Sequence, residues 1–588
     1  MNRAGQSYQR YDTKLMMGLS ESVNAVRGNR FVQPFVAKEL KVYASGPTRQ
    51  KAAVAKAVRW SLHTSIWAPR ATWCDAKDFW DTTDALRGRF TNLWRRCLDL
   101  GLAELVVKMD DGDGADSDSN GSEKEASLFG EDGDTRDDHP EVQDVKRVMW
   151  EHHELTESLF AYYACVEPSS LNQWGMIEWT LFLGDLGIVS KKSKFCKTSD
   201  LDLIFIAIDA KATRVHRKML EDSKRKLQAH KKETRLQGAR GGVSGRLNGK
   251  ESGVSTAGED AQASMPPPPP TISTQRASSP TGATSPGIDA NAQQRASSMP
   301  RHVLTQREIS EIEKHGDVVK ALMMDEFMLA LLQIAINKYV ACGKLPDVSE
   351  ALQRFFVRDL KPHARRIPGL LMQPNDFLKF AYVEEVDAVL RRHEATLRVL
   401  FEVGSADSGG GASAKRQSKL MNMQEWLEML RALEICGHEM SDISERDATL
   451  CFCLSRMCVI DPRSESGRIK ESGLPFEGFL ECLCRLANLT ALPTDEELAS
   501  AGYKDAGRFL REGCDEEARK DLISRRSRSW GEEPSTLVQP LCRCVDHLIA
   551  VMVRSVQDDT TRKKNDRLEL TRKEVERWAK NHLDDDEA

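Results

Sequence analysis

Apolar residues recur at intervals of three and four along much of this chain, and two-residue alternation is nearly absent. That period belongs to amphipathic helices, so the pattern predicts an all-α fold. The helical stretches themselves repeat. A first set runs His152-His153-Glu154-Leu155 to Tyr162, Met176 to Leu183, Asp200 to Asp209 and, far downstream, Leu322 to Leu331. A second set runs His393 to Phe401, Met423 to Leu430, Glu445 to Asp461 and Leu474 to Leu483. A Glu-Trp pair opens the second helix of each set (Glu178-Trp179, Glu425-Trp426), and an aspartate closes the third (Asp209, Asp461). An internal repeat sets the architecture before any single residue is interpreted. It predicts two tandem four-helix modules, at 146–345 and 393–495, with connecting helices at 346–392.

The flanks follow from the same pattern. Residues 1–109 read as a helical N-terminal segment, with helical stretches at Gln50–Trp60, Asp75–Trp80 and Ala85–Leu105. This segment is expected to dock on the first repeat or to bind a partner. Residues 110–145 are acidic and low in complexity, and disorder is expected there. Residues 211–310 interrupt the first module. Their basic start extends the Ile204–Asp209 helix as a solvated arm, followed by glycine, serine and the run Pro266–Pro270. Ser278, Ser279, Ser285 and Ser297 lie in phosphorylation-like contexts. Pro346-Asp347-Val348-Ser349 reads as a helix start capped by Ser349. Residues 496–588 hold C-terminal helices, an apolar one at Leu537–Val556 and a charged one from Arg562 to Ala588.

The turn between the paired helices ends each time in the same way. An apolar residue, three spacers, a glutamate and a bulky apolar residue give Trp174…Glu178-Trp179, Leu322…Glu326-Phe327 and Met421…Glu425-Trp426. The fourth copy, Leu474…Gly478-Phe479, has glycine for glutamate. This tail resembles that of the EF-hand, a helix, a ligand loop and a helix. The resemblance covers 150–210, 318–342 and 393–490. It extends to EF-hand-like modules of the tubulin-polymerisation-promoting family and of flagellar and cytoskeletal protist proteins. It implies paired hands, with an apolar helix such as Leu537–Val556 in the groove between them.

The loops depart from the calcium pattern. Calcium takes oxygen ligands at loop positions 1, 3, 5, 7, 9 and 12, with glycine at 6. Counting back from Glu178, positions 1, 3, 5 and 6 are Glu167, Ser169, Leu171 and Asn172, with Pro168 among them. Counting back from Glu425, positions 1, 3 and 5 are Ala414, Arg416 and Ser418. The loop after Asp461 carries extra residues and no closing glutamate. No cofactor is therefore expected. The metal-site candidates are Glu178, Asp209, Glu326, Glu425 and Asp461, and a weak calcium or magnesium site is the alternative. The surviving glutamates are expected to serve as helix-start carboxylates.

Composition narrows the function classes. A net charge of −5 over 588 residues gives no global attraction to nucleic acid. No apolar run is long enough to span a membrane, and the first eight residues lack a signal-peptide core. A cytoplasmic location is expected. Fourteen cysteines fall mostly in apolar helices and read as small buried hydrophobes. No nucleophile elbow, phosphate loop or dinucleotide fingerprint is present, so no enzyme is expected. The reading is an interaction scaffold, cytoskeletal or flagellar, with helical partners. The alternatives are a calcium sensor and a microtubule or other polyanion binder. The last would use the 211–250 arm through Arg214, Arg217, Lys218, Lys224, Arg225 and Lys226.

Overall fold

The computed structural model describes residues 59–107, 137–166, 171–190, 193–241, 321–405, 420–437, 441–557 and 567–583. Residues 51–58, most of the acidic stretch and the 242–310 part of the insert, with its four serines, lie outside them.

The described chain is all-α. The N-terminal segment gives α1 (Ala68–Trp73), α2 (Thr83–Asp99) and α3 (Leu102–Val107). The first module runs through α4 (Pro140–Glu151), α5 (His153–Ala164), α6 (Met176–Asp185), α7 (Thr198–Gly241), α8 (Met324–Ala335) and α9 (Val348–Arg354). Next come α10 (Pro374–Ala381), α11 (Glu384–Arg392), α12 (Glu394–Gly404), α13 (Met423–Ala432), α14 (Glu445–Ser455), α15 (Glu465–Ser472) and α16 (Phe476–Leu489). The C-terminal part adds α17 (Asp495–Ala501), α18 (Glu516–Arg526), α19 (Leu541–Val556) and α20 (Arg572–His582). Among the described residues the one sheet pairs β1 (Met421–Asn422) with β2 (Gly473–Leu474), antiparallel. No helix among the described residues is long and apolar enough to cross a membrane.

Two hydrophobic cores organise these helices. One gathers residues from Phe90 to Leu370, the other Ile66–Phe79 and residues from Phe377 to Trp578, joined by Cys165 and Leu171. In each core a Trp of the second helix packs on the third. The Trp179 ring centroid lies 5.7 Å from that of Phe205. Trp426 Nε1 donates to the Ala448 carbonyl on α14 at 3.0 Å. The insert does not split the first core, because α7 and α8 pack directly together across it.

The repeated unit is larger than four helices. α4 precedes the first set as α11 precedes the second, and α9 packs on α4 as α19 packs on α11. A buried histidine marks each junction. His152 Nε2 meets Gln353 Oε1 on α9 at 3.0 Å, and His393 Nε2 meets Asp546 Oδ1 on α19 at 2.8 Å. Each unit therefore has six helices, with a flanking helix closed over the four.

Several expectations change here. The acidic stretch does not reach 145: α4 starts at Pro140, and Val142 and Val145 are buried. Asp209 does not end a helix, since α7 runs through it to Gly241. Asp461 lies in a loop, because α14 stops at Ser455. Asp347, not Ser349, caps α9: its carboxylate accepts the Glu350 N–H at 2.6 Å, and Ser349 Oγ donates to it. Residues 75–80 are not helical, and α19 starts at Leu541, after Pro540, which donates no N–H. The C-terminal helix is not wholly solvated: Val575 and Trp578 are buried, and α20 packs on α12.

The N-terminal segment contacts both cores. Residues 60–81 lie on the second, where Trp60 Nε1 and the Ile66 N–H donate to the two oxygens of Asp387 at 2.9 and 2.7 Å. Helix α2 then packs on α8 of the first.

Candidate functional site

Each module joins two helix–loop–helix units back to back. Trp174 and Leu322 exchange backbone hydrogen bonds, each 2.8 Å, in an isolated antiparallel bridge. Met421 pairs with Leu474 at the matching position, one residue from Asn422–Gly473. All four are the apolar residues four places before the loop-closing position. The repeat thus predicts, residue for residue, where the paired loops touch.

The loop-closing carboxylates take different roles. Glu425 Oε2 accepts the Asn422 N–H at 2.7 Å, while Asn422 Oδ1 accepts the Glu425 N–H at 2.9 Å, a reciprocal N-terminal cap. Glu326 Oε2 likewise accepts the Met323 N–H at 2.9 Å. Glu178 is buried, with neither carboxylate oxygen hydrogen-bonded. Residues 167–170 and 406–419 of the first and third loops are outside the described residues.

An arginine of the second module sits at the acids of the first. Arg463 Nη2, from the loop after Asp461, donates to both oxygens of buried Asp325 at 2.8 and 2.9 Å. Glu326 Oε1 lies 3.8 Å from the same nitrogen. Arg96 of α2 pairs with Asp461 at 2.5 Å, and the Arg463 N–H also donates to that carboxylate. Burial first, then the Asp325 carboxylate, push Glu326 up to about 7; Asp209 adds to this, and the Met323 N–H and Arg463 oppose it. Asp209, Asp325, Glu326 and Asp461 are thus brought into one neighbourhood, but the cations there are guanidinium groups. Among the described residues no three His, Cys, Asp or Glu side chains are placed to hold a metal ion. Glu425 and Glu178 belong to other loops.

The basic candidates lie on the outer part of α7. Arg214, Arg217, Lys218 and Arg225 are exposed and Lys224 is half-buried; the side chain of Lys226 is outside the described set. The same helix exposes two large apolar residues nearer its module, Leu203 at 63% and Ile206 at 42%. Steps of three and four connect Leu203, Ile206, Ala210, Arg214 and Arg217, so they share one face of the helix. That face is apolar where α7 leaves the core and basic beyond it, until Glu221. Ile177 and Leu181 of α6 are exposed as well. A cavity of about 350 Å³ opens beside Leu203, lined also by Phe195, Ala207, Gln333 and Asn337.

The grooves of both modules are filled from within the chain. α2 packs on α8, and α19 packs on α16. Met324, Met328, Met423 and Met429 are core residues, so they offer no adaptable outer surface. Sequence reasoning missed Arg463, whose loop was read only for its missing glutamate, and missed the apolar start of the α7 face. Leu203 and Ile206 are legible in hindsight: the Leu201–Ile208 run is too apolar for a helix buried on one side only. Comparison of the chain with protein-family models, curated proteins and solved structures gives no match.

Proposed function

We propose that this protein is a non-enzymatic scaffold on degenerate EF-hand-like modules, binding an acidic amphipathic helix of a cytoskeletal or flagellar partner along α7. The carrying observation is the single exposed face that runs from Leu203 and Ile206 into Arg214 and Arg217. Helices that dock on such faces use apolar anchors at three- and four-residue spacing. Opposite charge further along sets register and speeds encounter. The cavity beside Leu203 accepts one anchor side chain. The back-to-back loops, bridged at Trp174/Leu322 and Met421/Leu474, support the EF-hand-like part of this reading. The cytoskeletal part rests on the resemblance in sequence.

Calcium has no role in this proposal. Arg463 already pairs with the acids of the second loop, and the first loop sequence offers Leu171 where an oxygen is needed. Titrating calcium into the full chain is expected to give no heat below the millimolar range, roughly the weakest class of known sites. A micromolar site removed by Glu178→Gln or Glu326→Gln would restore the sensor reading.

The test is differential capture from a cytoskeletal extract, comparing the full chain with L203S/I206S and R214E/R217E. A partner lost from both variants is expected, and a helical acidic peptide from it should bind each variant about tenfold more weakly or worse. Equal capture by L203S/I206S would sink the proposal. Equal binding of RNA or anionic vesicles, sensitive only to the arginines and to salt, would replace it with the polyanion reading.

A further inference from the structure

The junction between the two modules holds two thiols in contact. Cys165 ends α5 of the first module, and Cys453 lies on α14 of the second. Their sulfurs are 3.2 Å apart, although 288 residues separate them in sequence. Both are buried, and α5 packs directly against α14. Cys165 Sγ is also 3.1 Å from the Ala161 carbonyl. The junction also holds non-covalent contacts such as Arg456 Nη1 to Asn172 Oδ1 at 2.8 Å.

We propose that Cys165 and Cys453 form a reversible disulfide that locks the two modules together when the chain meets hydrogen peroxide. A disulfide needs its sulfurs at about 2 Å, so the pair must close by roughly 1 Å. The surroundings assign an order to the steps. The S–H of Cys165 aimed at the Cys453 sulfur pulls Cys453 below the ordinary thiol range, with the Arg456 guanidinium adding to it and burial opposing. Burial holds Cys165 well above that range. Arg456, three residues beyond Cys453 and bonded across the junction to Asn172, favours Cys453 as the attacking thiolate. Its thiolate attacks one peroxide oxygen, the O–O bond breaks and hydroxide leaves, giving a sulfenic acid. The Cys165 sulfur then attacks the Cys453 sulfur, the S–O bond breaks and water leaves with the Cys165 proton. Two thiols lose two protons and two electrons, and one peroxide becomes two waters. A thiol reductant reverses the link by exchange. This inference is independent of the proposed partner and of any metal.

The test oxidises the reduced full chain with peroxide, blocks remaining thiols with a maleimide and maps unreduced peptides by mass spectrometry. A peptide pair joining Cys165 to Cys453, lighter by two hydrogens than its free halves, is expected, and a thiol reductant should remove it. In C165S, dimedone should trap a sulfenic acid at Cys453; in C453S, labelling of Cys165 should be about tenfold lower or less. Oxidation should raise the melting temperature of the wild type and of neither variant. Recovery of both cysteines as maleimide adducts, or as sulfinic acids, from oxidised wild type would overturn the proposal. That readout needs no variant to fold. Equal dimedone labelling at the two positions would overturn the order of the steps.

Discussion

The fourth helices of the two modules, α8 and α16, start from the same pattern and are stabilised by different means. Aligned on their loop-closing positions, Glu326 and Gly478, Asp325 of α8 corresponds to Glu477, Leu329 to Glu481 and Gln333 to Arg485. All fourteen residues of α16 are buried, Glu481 and Arg485 among them. Those two bond each other at 2.7 Å, and Glu481 also accepts from Arg70 Nη1 at 2.9 Å. In α8 the matching positions hold uncharged Leu329 and Gln333, and the charge sits at the helix start, where Arg463 meets Asp325. Buried charges on a covered helix need partners, and Glu481 supplies one for both Arg70 and Arg485. Leaving one module more open, as with Ile177, Leu203 and Ile206, lets it keep a simpler core and an exposed face.

The largest effect should come from breaking that network. Glu481→Ala leaves Arg70 and Arg485 buried without their shared anion, and such a loss costs about 3–5 kcal/mol. Leu329→Ala in the first module, a cavity without stranded charge, should cost about 2–4 kcal/mol. The triple replacement R70M/E481L/R485Q gives two positions of α16 the residues of α8, removes the partner charge on α1 and should recover most of the loss. Thermal unfolding of the three variants measures the ranking. If the triple variant is no better than Glu481→Ala, packing and not charge is the dominant role of these residues.

The next effect separates the modules by pH. Glu326 ionises near 7 in the folded chain against 4.5 as an ordinary carboxyl, because burial and Asp325 disfavour its charge. A carboxyl raised on folding contributes stability that is complete below the lower value and lost as pH rises through the upper one. Between about pH 4.5 and 7 the wild type should lose on the order of 3 kcal/mol through this group. Glu326→Gln, neutral and still able to accept the Met323 N–H, should remove that part of the slope. The second module has Gly478 at the matching position, but burial also raises Glu477 beside it, so only the part of the slope that Glu326→Gln removes belongs to the first module. Denaturation midpoints of both proteins across this range give the difference directly; parallel curves would show that Glu326 titrates as an ordinary carboxyl.

How much of this was legible follows from which interactions are local. The helices, their order and the points where loops pair depend on spacing within short segments, so Trp174, Leu322, Met421 and Leu474 could be read from the repeat. The cap at Asn422–Glu425 was legible for the same reason. Arg463, Arg70 and Cys453 could not be placed, because each acts on a residue more than a hundred positions away. The Glu481–Arg485 spacing was a signal: an i, i+4 ion pair inside an otherwise apolar helix asks for a third buried partner. The acidic composition before α4 hid Val142 and Val145, whose period is too short a run to outweigh the surrounding aspartates.

A smaller difference lies at the first helix starts. Asn422 caps α13 with its side chain, whereas Gly175 opens α6 with none and the buried Glu178 carboxylate beside it makes no hydrogen bond. Asn422→Ala should cost about 1 kcal/mol, and Asn422→Gly only a few tenths, roughly the difference between capped and permissive starts. Equal losses for the two variants would show that the side-chain cap at Asn422 contributes nothing beyond backbone freedom.

The smallest effect on stability should come from removing the insert, provided enough chain remains to return. The fold closes across it, with Asp209 acting on Glu326. Helix α7 continues 32 residues from Asp209 to Gly241, about 48 Å at 1.5 Å per residue. The stretch 311–320 spans at most about 35 Å when fully extended. Deleting 240–310 thus leaves too short a return, and the outer turns of α7 must unwind. Deleting 226–310 places the cut near Arg225, about 24 Å from Asp209, within reach of the same ten residues. Both deletions should leave the melting temperature within a few degrees of wild type, because residues 226–241 carry few apolar side chains and a shorter loop closes more easily. Circular dichroism should separate them: the 240–310 deletion should lose helical signal from residues still present, and the longer deletion only that of the residues removed. A large fall in melting temperature for the 226–310 deletion would mean that the insert contributes to the first core.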